Sequence, residues 1–469
     1  MSFTQFITQL GSAGAGGDKY WWIEMGNGGN FNDYDAYQAP KNAIDSSGNM
    51  YANLTYYNSS VSDNSAVFTK FDPNGQLQWS KQLTVSGDCK GRGCLLDSNE
   101  DIIGIGQLYS SSDGYGHRLW VAKINSSGTL QWLKNTGGPT GDTNNSPTPY
   151  GLALDNSNNI YISGHQGHTG YADLWLGKYL SSNGQLLWDR EIYGGPSLST
   201  EAWSVGVDSS GNPIMVGYEE NIVSSYDQGY IQKFNTTGNT ISWGKRFNYD
   251  TSYYLSKVYD VAVNKSTNDI YVSGYMYENA TSYVHGFVTK LNSSGTVQWT
   301  RTVESFVNRL YGEAITYAPD GYLYVVCRSS NATPQYCVIL KLDPSDGSIV
   351  AELKMACSVS GMNIHMRSIS ATTEGYVFIS GYRWTTNYAY ENVVAKLPSD
   401  LSITGSYSVG ADSDTLTFSD PNVTFSTHTA TIDSFTFANN NAAGFTEVAS
   451  PLGTFQTLSA FGDYTVTNL

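Results

Sequence analysis

The sequence predicts an all-β fold, a seven-bladed β-propeller of four-stranded antiparallel blades with a small C-terminal β appendage. The first observation is a repeat, because seven lysines recur at steps of 53, 55, 55, 57, 51 and 55 residues. They are Lys70, Lys123, Lys178, Lys233, Lys290, Lys341 and Lys396. A fixed period of this length indicates one supersecondary unit that is copied seven times.

The second observation is the pattern inside one copy. In the fifth copy, VYDVAV, DIYVSG and GFVTKL alternate apolar and polar residues, and QWTRTV makes a fourth such segment. Alternating runs of this kind, bounded by Gly, Asn, Asp and Ser, are typical of strands. Turns such as DSSGN and NSSG join strands one to two and three to four, with glycine supplying the positive φ of a tight hairpin. Each copy is therefore predicted to be a four-stranded meander, and meanders repeated radially make a propeller.

A recurring tryptophan is the third observation. It follows the lysine by nine or ten residues in five copies, as Trp79, Trp132, Trp188, Trp243 and Trp299. It is predicted to pack between neighbouring blades with its indole N–H satisfied nearby. Copies six and seven have Ala351 and Gly405 at about this place, so the packing must differ there. The lysines are predicted to be structural, since a ligand site does not need seven equivalents.

Both termini bear on how the ring closes and on how the chain divides. Residues 5–11 (QFITQLG) resemble a fourth strand and are a candidate to complete the last blade, while residues 402–409 compete for that place. We therefore divide the chain into 1–25, an N-terminal strand that closes the ring, and 26–409, the propeller. Residues 410–469 are a C-terminal β-rich attachment or oligomerisation segment, and from Thr415 on they contain no lysine or arginine. The alternative for this segment is a strand layer folded onto the propeller.

The succession D-S-S-G-N, Y-V-S-G, K-L-N-S-S-G and Q-W resembles the bacterial SBBP-type β-propeller repeat across roughly residues 30–409. The resemblance implies the propeller fold and leaves function open, because propellers host many unrelated activities. The sequence departs from the pattern at two positions. Asn53 stands where the glycine after the second strand is expected, and copy six has Cys327.

Composition limits the partners and the location. The formal net charge is −16, and only 14% of residues are charged. No basic stripe appears, so nucleic acid is not an expected partner, and no apolar run is long enough to predict membrane insertion. Abundant Asn, Ser, Thr, Gly and Tyr is typical of extracellular bacterial or viral β-proteins, yet the start lacks the features of a signal peptide. A tailed-phage virion protein, made in the host cytoplasm, fits both observations, and an extracellular bacterial protein is the alternative.

Motifs for catalysis are absent from the sequence. It contains no GxSxG, HExxH or P-loop. His165 and His168 form HxxH near Asp173, which we interpret as a surface loop and not as a metal site. The sequence therefore predicts no catalytic residues, no metal, no cofactor and no enzyme activity. A paired-carboxylate glycosidase site stays open, because acids from distant copies can converge.

The cysteines are too few for a disulfide scaffold. Cys327 and Cys337 flank one hairpin. They are predicted to face each other across strands two and three of copy six as reduced thiols, with a disulfide as the alternative outside the cell.

Aromatic residues gather in the longer loops, which alternate with the short turns and so belong on the opposite face of the ring. Variable loops on a rigid scaffold carry recognition, and tyrosine suits contacts with sugars and proteins. The predicted binding residues are Tyr57, Tyr109, Tyr115, Tyr171, Tyr218, Tyr226, Tyr275, Tyr277, Tyr283, Tyr382, Trp384 and Tyr388.

The predicted function is a non-catalytic binding or structural protein of a phage virion, of fibre, knob or decoration type. Its loop-rich face would bind a host-surface glycan or a neighbouring virion protein, and the C-terminal segment would dock to other virion proteins. The alternatives are a polysaccharide hydrolase or lyase, and a secreted bacterial binding protein. Converging acids at the mouth of the ring favour hydrolysis, and an aromatic rim favours binding.

Overall fold

The fold is the predicted ring of seven sheets, each built on a four-stranded antiparallel blade. The computed structural model describes residues 4–13, 18–26, 41–58, 63–83, 88–110, 116–137, 147–168, 171–193, 198–221, 226–248, 253–278, 283–304, 309–330, 332, 334–359, 363–384, 390–409, 414–420, 424–427, 431–434, 438–440, 446–447, 455–457 and 465–467. No helix long and apolar enough to cross a lipid bilayer occurs in these ranges.

Each blade begins with its innermost strand and proceeds outward. Blade 1 comprises β3 (Ala43–Ile44), β4 (Met50–Asn58), β5 (Asp63–Phe71) and β6 (Leu77–Leu83). Blade 2 comprises β7 (Asp88–Leu96), β8 (Ile102–Ser110), β9 (Gly116–Ile124) and β10 (Leu130–Gly137). Blade 3 comprises β11 (Pro147–Leu154), β12 (Ile160–His168), β13 (Tyr171–Tyr179) and β14 (Leu186–Tyr193). Blade 4 comprises β15 (Leu198–Val207), β16 (Pro213–Asn221), β17 (Tyr226–Phe234) and β18 (Ile241–Asn248). Blade 5 comprises β19 (Tyr253–Asn264), β20 (Asp269–Glu278), β21 (Tyr283–Leu291) and β22 (Val297–Glu304). Blade 6 comprises β23 (Arg309–Tyr317), β24 (Leu323–Ser330), β25 (Tyr336–Leu342) and β26 (Ile349–Cys357). Blade 7 comprises β27 (Asn363–Ala371), β28 (Tyr376–Trp384), β29 (Tyr390–Pro398) and, from the start of the chain, β2 (Asp18–Gly26).

The N-terminal strand β2 closes the ring by pairing with β29. In this pairing Trp21 lies opposite Lys396, as Trp79 lies opposite Lys70 in blade 1. The chain start therefore supplies the tryptophan that the seventh copy lacks, whereas blade 6 keeps Ala351 opposite Lys341. Neither predicted candidate takes the fourth position, because residues 5–11 belong to β1 (Thr4–Ala13), which pairs outside β2.

The tryptophans join neighbouring blades, as predicted. The Trp21 indole N–H donates to the Pro73 carbonyl oxygen at 3.1 Å, and the Trp79 indole N–H donates to the Ser126 carbonyl oxygen at 3.1 Å. Both acceptors lie in the turn between the last two strands of the next blade. At Gly75 in one of these turns, φ is +79°, and a Cβ would lie 3.0 Å from the Trp21 ring. Glycine is therefore required there by both the backbone conformation and the packed indole.

The repeated lysines form ion pairs with acidic residues in or directly after the turns between the first two strands. The Nζ to carboxylate distances are 3.8 Å for Lys70–Asp45, 2.7 Å for Lys123–Asp97, 3.2 Å for Lys178–Asp155, 2.9 Å for Lys233–Asp208, 3.0 Å for Lys290–Asp269 and 3.0 Å for Lys341–Asp320. In blade 7, the Lys396 ammonium donates to the Pro73 carbonyl oxygen at 3.2 Å and lies 3.6 Å from the centre of the Tyr376 ring. These contacts fit the predicted structural role.

The two cysteines of copy six do not face each other, so that prediction was wrong. Cys327 is paired in register with Val338, and Cys337 with Arg328, which offsets the two cysteines by one position. Successive side chains of a strand point to opposite faces of the sheet. Cys327 accordingly packs in the core that includes Tyr271, whereas Cys337 packs in a different core. None of the five cysteines, all within the described ranges, forms a disulfide.

The C-terminal strands run around the outside of the ring. They are β31 (Asp414–Ser419) on blade 6, β32 (Thr424–Thr427) on blade 5, β33 (Thr431–Ser434) on blade 4, β34 (Ala438–Asn440) on blade 3, β35 (Thr446–Glu447) on blade 2, β36 (Phe455–Thr457) on blade 1 and β37 (Thr465–Thr467) on β1 in blade 7. We call β31–β37 the belt. Residues 405–409 form β30 (Gly405–Val409), which pairs with β31. The belt gives each blade an additional outer strand, while its predicted attachment role stays a prediction.

A chain that ends at Val409 is expected to self-associate. Without the belt, the outer strand of each of blades 1 to 6 presents unpaired backbone N–H and C=O groups, which template pairing with another chain. Size-exclusion chromatography with light scattering should give more chains per particle for the truncated chain than for the full chain. A chain ending at Thr457 retains β31–β36 and should match the full chain. Equal masses for all three chains would contradict this role of the belt.

Candidate functional site

A β-bulge occurs at one place in the innermost strand of blades 2 to 7. The bulged residues are Arg92, Tyr150, Trp203, Tyr259, Glu313 and Arg367. A bulge inserts one residue, bends the strand and re-aims a side chain, and bulges are over-represented beside active sites. Because these strands are innermost, the six side chains meet around the central channel, in the half nearer the long loops. We call this region, with the side chains that contact these residues, the mouth.

Six rings form a continuous arc at the mouth across blades 3 to 6. The centroid distances are 5.1 Å for His165–Tyr150, 5.8 Å for Tyr150–Trp203, 4.8 Å for Trp203–Tyr259, 5.5 Å for Tyr259–Tyr275 and 4.7 Å for Tyr275–Tyr311. All six are partly exposed. Partly exposed aromatic faces in such an arc are suited to stacking against the apolar faces of sugar rings.

Arginine lies at both ends of this arc. The Arg92 guanidinium is 5.8 Å from the centre of the Tyr150 ring, and the Arg328 guanidinium is 4.4 Å from the centre of the Tyr311 ring. Guanidinium groups bind carboxylates and sulfates in a bidentate manner. The mouth therefore combines a stacking surface with groups that bind anions, although the whole chain carries a net charge of −16.

An ionic cluster of blades 6 and 7 borders the arc. The Glu313 carboxylate accepts from the Arg328 Nε–H at 2.7 Å and also pairs with Arg367. Glu313 and Arg367 are buried. Two guanidinium groups share one carboxylate, so the cluster carries one net positive charge. Desolvation makes such a charge a strong attractor for an anionic ligand.

Beside this cluster, a histidine has both ring nitrogens fixed. His365 Nε2 lies 2.5 Å from Gln335 Oε1, and His365 Nδ1 lies 2.5 Å from the Tyr382 hydroxyl oxygen. An amide oxygen can only accept, so Nε2 carries the proton and Nδ1 accepts from the Tyr382 O–H. Gln335 therefore sets the tautomer in which the His365 lone pair is directed at the tyrosine.

The electrostatics keep this pair neutral. Burial, followed by the charges of Arg328 and Arg367, lowers the pKa of His365 well below its ordinary value of 6.5. Burial raises the pKa of Tyr382, while the same two arginines oppose the rise. A neutral imidazole that accepts from a neutral phenol is a proton relay in its resting state.

A second histidine, His165, lies in β12 and not in a loop, which corrects the sequence interpretation. Its ring packs on Tyr150, and burial lowers its pKa, with the nearby charge of Glu201 opposing. Its partner in the HxxH motif, His168, ends the same strand. Among the residues that the structure describes, no three His, Cys, Asp or Glu side chains are grouped as metal ligands.

Three of the predicted binding residues reach the mouth: Tyr218, Tyr275 and Tyr382. Each lies on the second strand of its blade, and Tyr218 receives the Lys257 ammonium 3.4 Å from its ring centre. The other described side chains lie at the loop-side ends of strands, namely Tyr109, Tyr277, Tyr283 and Trp384. Tyr57, Tyr171 and Tyr226 lie in β4, β13 and β17, but their side chains, like Tyr115 and Tyr388, fall outside the described residues. A ligand role for this set stays a prediction.

The bulged residues and both arginine-bearing ends of the arc were missed from the sequence. Their residue types differ from copy to copy, so they form no motif. Their position is constant, however, because each bulged residue stands five residues before the first residue of the following turn, as Arg92 stands before Asp97 and Trp203 before Asp208. A comparison of copies by position would have found them.

Comparisons with known proteins find solved structures of low sequence identity. No protein-family profile and no curated protein matches this sequence. A PL25 ulvan lyase, a polysaccharide lyase solved with a bound saccharide, is 11% identical, with 76% of this chain and 91% of that chain covered and a TM-score of 0.48. The polysaccharide lyase Uly1 is 9% identical, with 85% and 100% covered and a TM-score of 0.49. The propeller domain of the Trilobed protease from Pyrococcus furiosus is 10% identical, with 77% and 95% covered and a TM-score of 0.45.

These comparisons correct the prediction that the chain is not an enzyme. Solved structures similar to it include two polysaccharide lyases. At such low identity the likeness extends to the fold alone. What the mouth does has to be argued from its own side chains.

Proposed function

We propose that this chain is a polysaccharide lyase that cleaves a uronate-containing glycan by β-elimination at the mouth. The observation that carries the proposal is the hydrogen bond between His365 and Tyr382, with Gln335 on the other ring nitrogen of His365 and two arginines beside the pair. Elimination next to a carboxylate requires a base for the proton on C5, an acid for the departing oxygen on C4, and positive charge for the carboxylate. The mouth contains all three kinds of group.

Substrate binding follows from the arc and the ionic cluster. Sugar rings stack along the partly exposed rings from His165 to Tyr311, and the uronate carboxylate lies against the Arg328 and Arg367 guanidinium groups. The carboxylate makes the C5 proton more acidic once its own charge is compensated. It also offsets the positive charge that keeps His365 neutral, so the imidazole becomes a stronger base when substrate is bound.

The proton steps use the Tyr382–His365 relay. The Tyr382 oxygen takes the C5 proton, and its own proton passes to His365 Nδ1. The electron pair of the C5–H bond forms the C4=C5 double bond, and the C4–O bond breaks. The imidazolium then returns its proton through Tyr382 to the departing oxygen, so the enzyme ends in its starting state.

The hydrolase alternative is less well supported by the described acids of the mouth. Arg328 contacts Oε1 of the Glu313 carboxylate and Arg367 contacts Oε2, so neither oxygen is free to act on a sugar. Glu201 accepts from the Trp203 indole N–H at 3.0 Å. Hydrolysis needs one acid that is protonated and one that is free to activate water or attack the sugar.

The proposal is tested with a panel of uronate polymers and the same polymers after chemical reduction of their carboxyl groups. Elimination forms a conjugated unsaturated uronate, which absorbs in the ultraviolet. We expect this absorbance to rise with at least one native polymer and with none of the reduced ones. Shortened chains without the absorbance, or no shortening of any polymer in the panel, would reject the lyase.

The pH dependence follows from the His365 pKa. Neutral His365 is the active form, so kcat/KM falls when the free enzyme protonates it at low pH. Burial and the two arginines lower this pKa well below 6.5. Activity should therefore persist as the pH falls through 6.5, and the acid limb, the fall of kcat/KM at low pH, should be centred below pH 6.5. Arg328→Gln should move that limb to higher pH, because one of the charges opposing protonation is gone. A limb at or above pH 6.5 in the unmodified enzyme would contradict the assignment.

The location and the partners remain proposals. A virion protein that depolymerises a host-surface glycan would combine the predicted location with the proposed chemistry. Immunogold labelling of purified particles with antibody to this chain tests the location independently of any activity. Absence of label from every particle would favour the extracellular alternative.

A further inference from the structure

The central channel continues from the mouth toward the short-turn face as a cavity of about 390 Å³. Its wall is largely aliphatic and includes Leu152, Val205, Val261, Ile315 and Ile369. A volume of this size lies within the range of small-molecule sites. Aliphatic walls offer water no hydrogen-bond partners and favour an apolar occupant.

Two lysine side chains cross the channel at different levels. On the mouth side, Lys41 of blade 1 reaches blade 5, with its Nζ 3.1 Å from Asp260 Oδ1, and also donates to the Ser204 hydroxyl at 3.2 Å. At the short-turn face, Lys265 of blade 5 donates to the Leu154 carbonyl oxygen of blade 3 at 3.0 Å. The Lys41 bridge separates the cavity from the mouth. Lys265 is exposed and lies across the outer opening.

The inner end of the cavity has more donors than acceptors. Asp260 is the carboxylate there, and its oxygens already accept from Lys41, from the Ser204 hydroxyl at 2.6 Å and from the Ile315 N–H at 3.0 Å. Arg367 borders this end from the mouth side, where it pairs with Glu313.

Asn42 adds an unsatisfied donor at the same end. Its Oδ1 accepts from the Ser370 hydroxyl at 2.6 Å, which fixes the orientation of the amide. Its Nδ2 is buried without a hydrogen-bond partner, although the residue is only 4% exposed. A buried donor of this kind is costly unless a ligand or water satisfies it.

We infer that this cavity is a second ligand site, separate from the mouth, for an aliphatic monocarboxylate. The carboxylate accepts from the Asn42 amide beside the Lys41 ammonium at the inner end. The alkyl tail lies along the aliphatic wall and points to the outer opening. The Lys265 side chain has to break its hydrogen bond to the Leu154 carbonyl oxygen and move aside before the ligand can enter.

The test uses octanoate, octanol and octylamine in calorimetric titrations of the full chain. Octanoate should bind with a dissociation constant below about 1 mM, since each buried CH₂ strengthens binding about fourfold. Octylamine should not bind. Asn42→Leu, which replaces the donor by an apolar group of similar size, should weaken octanoate binding by about tenfold or more while octanol binding is kept or improved.

Val263 also lines the cavity. Val263→Phe therefore fills part of the cavity and should abolish binding of both octanoate and octanol. Circular dichroism melting of this variant confirms that it is folded before it is titrated. No octanoate binding to the unmodified chain, equal binding of octanoate and octanol, or full binding by folded Val263→Phe would each overturn the inference. Glucuronate at high concentration should not compete with octanoate, and competition would likewise overturn the separation from the mouth.

Discussion

Replacing Tyr382 by phenylalanine is expected to lower kcat on a uronate polymer by about 10²–10⁴-fold, the range of general acid–base catalysis. The substitution removes the oxygen that takes the C5 proton and the O–H that donates to His365 Nδ1. It keeps the ring, which packs on His365 with a centroid distance of 4.9 Å. Stacking and arginine contacts are retained, so KM should change much less than kcat. Initial rates from the ultraviolet absorbance of the product separate the two parameters.

The matched control for this substitution is Tyr407→Phe. Tyr407 lies in β30, where its O–H donates to the Thr404 carbonyl oxygen at 3.0 Å, far from the channel in the order of strands. Its kcat should equal that of the unmodified chain. A Tyr382→Phe variant with full kcat, or one whose loss lies wholly in KM, would remove Tyr382 from the chemistry.

Replacing Glu24 by glutamine is expected to lower the free energy of unfolding by about 3 kcal/mol, the lower end of the cost of breaking a buried ion pair. The cost is at the lower end because Arg383, the partner of Glu24, keeps a second carboxylate, that of Glu391, at 3.3 Å. Glu24 lies in β2, the N-terminal strand that closes the ring. Its carboxylate pairs with Arg383 of β28 at 2.8 Å, and both side chains are fully buried. Glutamine keeps the shape and an oxygen that can accept from the Trp22 indole N–H, which now donates at 2.7 Å. The loss of unfolding free energy therefore measures the contribution of the Glu24–Arg383 pair at the ring closure. Urea denaturation followed by tryptophan fluorescence measures it.

Asp269→Asn is the comparison for this prediction. It breaks the Lys290–Asp269 pair, whose side chains are 15% and 22% exposed, and such pairs contribute about 1 kcal/mol or less. If the two substitutions lowered the free energy of unfolding by similar amounts, the buried pair at the ring closure would contribute no more than a partly exposed pair.

The repeat made the fold predictable, because each blade contains its own turns, alternating strands, lysine and tryptophan. The strand that closes the ring was harder to predict from the sequence, because it comes from the start of the chain but completes the last blade. Trp21 had no lysine nine or ten residues before it in the sequence, because its partner is Lys396 at the other end of the chain. The belt has no repeat at all, and the pairing of its short strands depends on edges that only the closed ring presents.

The site was predictable only in part, for a physical reason. Aromatic enrichment assigned to the longer loops led to Tyr218, Tyr275 and Tyr382, which the structure places at the mouth, and their ligand role stays a prediction. Bulges re-aim single side chains of the inner strands, and the strand pattern alone does not reveal which residue is inserted. The pairing of His365 with Gln335 joins different blades, so it follows from the ring and not from sequence spacing.

The most direct test of the account is to run the cleavage in water enriched in heavy oxygen and to weigh the products by mass spectrometry. Elimination breaks the C4–O bond without consuming water. We predict an unsaturated fragment that lacks the mass of one water and carries no label at its new end. Fragments that gain water and contain the heavy isotope would instead identify a hydrolase and contradict the account.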